Sequence, residues 1–140
     1  MSLEDSQDLA QTISCKVARI QPVEARDFYR YVIGNNDMKL AQQVSRDLAI
    51  RIKGRINAPR TPISKIESLA LVVIIAERKW QRYGDKTSAS KIAQRIGVSR
   101  SAMAVPPWGD AKKAALAVLK RWIDLAEHDL SPRLIEAGII

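Results

Sequence analysis

Apolar residues recur at three- and four-residue spacing along most of the chain, and no stretch alternates long enough to make a strand. Leu9, Ile13, Val17 and Ile20 mark one face of a first helix, expected to end before Pro22. Pro22 suits the first turn of a second helix, where its missing N–H is one that a helix start leaves unbonded anyway. That helix carries Phe28, Tyr31 and Val32 and is expected to stop at Gly34 in a left-handed conformation. Asn36 or Asp37 can then cap a third helix with Leu40, Val44, Leu48 and Ile52 on one face.

Gly54, Pro59 and Pro62 make residues 54–62 the clearest break in the pattern. Ser64-Lys65-Ile66-Glu67 matches a capping box, in which the hydroxyl and the carboxylate satisfy each other's backbone N–H groups. The helix it starts, with Ile66, Leu69, Val73 and Trp80, is apolar all round at its centre and is expected to be the central core helix. It should end near Tyr83-Gly84-Asp85. Asp110 can cap a last long helix over residues 111–127 with Ala111, Ala115, Val118, Leu119, Trp122, Ile123 and Ala126 as its buried stripe. Pro132 is expected to break the chain before a short piece ending in Ile139 and Ile140. The pattern predicts an all-α compact helical bundle. An N-terminal helical region, residues 1–58, would serve oligomerisation or partner binding, and residues 62–140 would form the second part.

Charge changes this picture by where it sits. Residues 1–50 carry a net of −1 and residues 101–140 a net of zero, whereas residues 51–100 hold twelve Lys/Arg against Glu67, Glu77 and Asp85, a net of +9. The whole excess of +8 therefore lies in the middle of the chain and points to a polyanionic partner, nucleic acid above all. Aromatic residues are only 5%, which argues against a single-strand binder built on several exposed rings. Cys15 is the only cysteine, so no intramolecular disulfide can form and a reducing compartment is expected. The start Met1-Ser2-Leu3-Glu4-Asp5 lacks the apolar core of a secretory signal. The longest apolar run, residues 69–76, is far short of the ~20 residues that span a bilayer. A cytoplasmic location, in a bacterium or an infected host cell, is the expectation, with no membrane partner.

The segment Ser88-Ala89-Ser90-Lys91-Ile92-Ala93-Gln94-Arg95-Ile96-Gly97-Val98-Ser99-Arg100-Ser101-Ala102-Met103 resembles the helix-turn-helix of prokaryotic regulators. Ile92 and Ile96 would face the core, Ala93 is small enough for a second helix to cross it, and Gly97 supplies the positive φ of the turn. Ser99 would cap the next helix and Met103 return to the core. The resemblance implies that residues 62–140 form a helix-turn-helix DNA-binding domain in which Ser99, Arg100, Ser101 and Ala104 face duplex DNA, with Arg100 the residue for bidentate guanine contact. Lys86, Ser88, Lys91 and Arg95 would touch phosphates. Arg51, Lys53, Arg55 and Arg60, which crowd the 54–62 break with no acid among them, read either as a solvated linker or as a phosphate-contacting arm.

One departure from the motif stands out. Pro106-Pro107 limit the second helix to about two turns, and Trp108 either folds back to complete the packing or is exposed for binding. Over residues 64–127 the order of elements is also similar to phage antitermination proteins of the Q type. That likeness implies a late-gene regulator that binds DNA and joins RNA polymerase.

Catalysis has little to stand on. His128 is the only histidine, Glu77, Asp85 and Asp110 are isolated, and no glycine-rich phosphate loop exists. No enzyme activity, metal or cofactor is expected. Three function classes fit: a double-stranded DNA-binding transcription regulator acting as a dimer or beside polymerase, a DNA-recognition subunit of an assembly such as a packaging machine, and a protein-binding helical adaptor for an acidic partner.

Overall fold

In the computed structural model, residues 3–138 are described. They form six α-helices and one 3-10 turn, with no strand among them. The helices are α1 (Leu3–Val17), α2 (Val23–Ile33), α3 (Met38–Lys53), α4 (Ile63–Tyr83), α5 (Ala89–Ile96) and α6 (Trp108–Glu136). The 3-10 turn, Ser101–Ala104, lies between α5 and α6. No helix among the described residues is long and apolar enough to cross a membrane.

The stripes set by sequence spacing become the core. Ile66, Leu69, Ala70, Val73 and Ile74 of α4 are buried against Val44, Leu48 and Ile52 of α3. Phe28 and Tyr31 of α2 and Ala115, Leu119 and Trp122 of α6 close the same cluster, with the Phe28 and Trp122 ring centroids 6.3 Å apart. The break at 54–62 thus joins two tightly packed helices and does not divide the core, so the expected parts 1–58 and 62–140 share one interior. Asp37 is the cap of α3, its carboxylate accepting from the N–H groups of Lys39 and Leu40 at 3.1 and 3.2 Å. Only α1 stands apart. Val17 and Ile20 pack with Ala126 and Leu130 of α6 in a small second cluster, and most of α1 is exposed.

Several local expectations change. Gly34 is extended (φ −90°, ψ −170°), not left-handed. A Cβ there would come within 2.7 Å of the Arg30 carbonyl oxygen, so the requirement for glycine is close approach. The capping box does not form: α4 starts two residues earlier, behind Pro62 at φ −60° and ψ 143°, and no side chain caps it. Proline's fixed φ sets the entry, and the Lys53 ammonium holds the preceding turn by donating to the carbonyls of Ala58 and Thr61, each at 2.7 Å. The helix α6 runs through Pro132 to Glu136. The lost backbone bond is offset by contacts on the same segment: Leu130 is buried on α1, and Asp129 accepts from the Gln21 N–H and pairs with Arg133. Trp80, expected in the core, is 44% exposed. The C-terminal Ile139 and Ile140 and the opening Met1 and Ser2 lie outside the described residues.

Candidate nucleic-acid interface

The α4 helix ends at Gly84, left-handed at φ 70°, with its N–H bonded to the Trp80 carbonyl. Ser88 then caps α5, its hydroxyl accepting from the Lys91 N–H at 3.2 Å. Ile92 and Ala93 bury the inner face of this two-turn helix. At its other end Gly97 takes φ 76° and ψ 30°. Its N–H reaches the Gln94 carbonyl, while the Val98 N–H reaches that of Ala93 at 3.0 Å. These paired bonds close the last carbonyls of α5 and turn the chain sharply.

Beyond the turn, Ser99 accepts from the Ala102 N–H as expected of a cap. The element that follows is a 3-10 turn of four residues rather than an α-helix of two turns. Met103 anchors it in the core, and Pro106-Pro107 end it. Gly109 explains how tightly it sits. A Cβ there would lie 3.1 Å from the Met103 carbonyl oxygen and 3.2 Å from the Ala104 carbonyl carbon, so the start of α6 packs on the turn's backbone. Trp108 is half-buried against the core.

All eight residues proposed to face DNA are exposed: Lys86, Ser88, Lys91, Arg95, Ser99, Arg100, Ser101 and Ala104. They fall into two groups. Lys86, Lys91 and Arg95 converge on a surface hollow of about 490 Å³ between the end of α4 and α5, which Lys79, Tyr83, Thr87 and Asp85 also line. Ser99, Arg100, Ser101 and Ala104 sit past Gly97 on and beside the 3-10 turn, outside the hollow's lining.

None of the four cations of the hollow is in an ion pair among the described residues. Lys86 only stacks on Trp80, its Nζ 5.4 Å from the ring centroid. Four positive charges against the single carboxylate of Asp85 repel one another and leave a positive excess, an arrangement suited to an external anion. Tyr83 is 62% exposed. A hydrogen bond to the neighbouring Arg82 guanidinium, reinforced by that group's charge, draws its hydroxyl below the usual tyrosine range.

Sequence reasoning missed Lys79 and Tyr83. The available signal was their four-residue spacing at the end of α4, which puts them on one face toward the start of α5. It also assigned Arg78 and Arg82 to the general basic excess. In the structure Arg78 is buried, donating to the carbonyls of Tyr31 (3.1 Å) and Gly34 (2.8 Å). Arg82 donates to the carbonyls of Val32, Ile33 and Gly34 at 2.9–3.3 Å. Both satisfy the C-terminal end of α2, where carbonyls lack helical partners and the dipole is negative.

The second expected cationic set is not assembled with the first. Lys53 is engaged by its own loop, and Arg51 faces Glu24 at 3.8 Å. Arg55 and Arg60 are exposed near the start of α4. The hollow lies at the far end of this 21-residue helix, roughly 30 Å away.

Among the described residues no group of three or more His, Cys, Asp or Glu side chains is placed to hold a metal ion. A larger groove, about 550 Å³, runs between α1 and the α2–α3 connection, but Arg30 and Asp37 are the only charged residues lining it. Compared with known proteins, the chain matches no family model, no curated sequence and no solved structure.

Proposed function

We propose that this protein binds double-stranded DNA as a regulator of transcription, through a shortened helix-turn-helix formed by α5, the Gly97 turn and the 3-10 turn. The hollow at the end of α4 takes phosphates, with Lys79, Lys86, Lys91 and Arg95 as the cations, and Ser88 and Ser99 contact the backbone nearby. Arg100, Ser101 and Ala104 meet the groove, with Arg100 the residue able to read guanine. The observation that carries this reading is the convergence of four unpaired cations beside an exposed, glycine-turned segment.

The 3-10 turn presents few side chains to bases, so phosphate contacts supply most of the affinity and DNA shape much of the selectivity. Action as a dimer beside RNA polymerase, in the manner of a late-gene antiterminator, rests on the sequence resemblance alone. The rival reading of a helical adaptor for an acidic protein is separated by comparing duplex DNA with polyglutamate. Tight duplex binding that weakens steeply with salt, and no comparable hold on polyglutamate, is the expected outcome. Affinity for duplex no better than for polyglutamate overturns the proposal.

A further inference from the structure

We propose that Tyr83 stacks on an unpaired base beside the bound duplex, so that DNA with a single-stranded flank is the preferred ligand of this site. The inference rests on the DNA-binding reading above and extends it to the kind of DNA bound.

The chain has three Trp, three Tyr and one Phe. Phe28, Tyr31 and Trp122 are buried, and Tyr29 and Trp108 are half-buried against the core. The two that remain exposed, Trp80 and Tyr83, lie three residues apart at the end of α4, on the same side of the helix and beside the cationic hollow. Trp80 also lines a separate hollow of about 250 Å³ with Val73, Ala76 and Leu116, so part of its ring has apolar neighbours. Tyr83 has none of these. It borders the charged hollow, and its ring faces the Arg82 guanidinium, 5.8 Å from the centroid.

An aromatic ring held in water among unpaired cations matches the chemistry of an unpaired nucleotide, whose phosphates go to the cations and whose base offers a flat face. Within a duplex both faces of each base are covered by its neighbours, so a ring beside the phosphate track has no base to stack on. At a frayed end, fork or overhang it does. Such stacking is tolerant of sequence, because every base has a π-face. The low aromatic content of the chain is compatible with this role, since a single ring beside a duplex-binding surface suffices.

The test compares one blunt duplex with the same duplex carrying an unpaired overhang, at a single salt concentration, for the parent protein and for Tyr83→Ala, Tyr83→Phe and Tyr83→Trp. The parent should favour the overhang form roughly five- to tenfold, the lower part of the range for one stacked base. Tyr83→Ala should lose that preference, while Tyr83→Phe and Tyr83→Trp retain it because the ring is what stacks. Equal binding of both forms by the parent overturns the inference and leaves duplex binding standing. So does a Tyr83→Ala variant that keeps the preference, or a Tyr83→Phe variant that loses it. Failure to bind either form removes the inference together with the DNA-binding reading.

Discussion

Arg78 and Lys79 are neighbours in sequence, yet the fold employs them in opposite ways. Arg78 is buried, with its guanidinium bonded to carbonyls at the C-terminal end of α2, whereas Lys79 lines an open hollow and is in no ion pair among the described residues. One helical turn on, Arg82 repeats the first pattern, and Lys86 joins the second. Cations that bond the carbonyls of a helix end stabilise the fold and are internally satisfied. Cations gathered in excess of a single carboxylate, Asp85, raise the folded state's energy until an anion arrives. Of the twelve basic residues between 51 and 100, Lys53, Arg78 and Arg82 bond main-chain carbonyls and Arg51 faces Glu24, which leaves eight, and half of those line the hollow. Segmental charge therefore points to the region of the hollow but overstates its free cations.

The largest expected effect comes from removing the seat of α5. Ala93 is 1% exposed, so Ala93→Glu buries a carboxylate with no partner and should cost about 4 kcal/mol or more. Because Lys91 and Arg95 ride on that helix, DNA binding should fall with stability. A variant that melts and binds like the parent would contradict the packing of the motif. Arg78→Met tests the satisfied class. It leaves the Tyr31 carbonyl without its charged donor and the Gly34 carbonyl with Arg82 alone, and should cost about 2–3 kcal/mol in denaturant unfolding. Lys79→Met, one residue away, should change stability by less than about 0.5 kcal/mol, and similar losses from the two would dissolve the distinction. An effect between those two is expected at Gly97, where no atom lies within 4 Å of an added Cβ but φ is +76°. Gly97→Ala should cost about 1–2 kcal/mol from backbone strain alone, with the hollow left assembled.

Much of the helical layout was legible because it depends on local spacing. The α6 stripe from Ala111 to Ala126 and the Asp37 cap need only three- and four-residue periodicity and one carboxylate. The turn at Gly97 was legible for a similar reason, since a left-handed residue after Ile92 and Ile96 leaves few alternatives. What the sequence hid depends on partners distant in the chain. Arg78 and Arg82 find theirs more than forty residues earlier, and nothing local separates them from Lys79. The helix through Pro132 depends on α1 packing against Leu130, a contact no window around the proline contains. Two turns were expected after Ser99, and the 3-10 turn forms instead where Pro106-Pro107 and the close approach of Gly109 meet.

The salt dependence of duplex binding for the parent and for the Lys91→Gln/Arg95→Gln double variant bears most directly on the claim that unpaired cations hold phosphates. If each side chain neutralises one phosphate, the slope of log affinity against log salt should become shallower by about one for each cation removed, with the melting temperature unchanged or slightly raised. An unaltered slope in a folded variant would mean that these two charges face water in the complex, and the hollow would lose its assigned role.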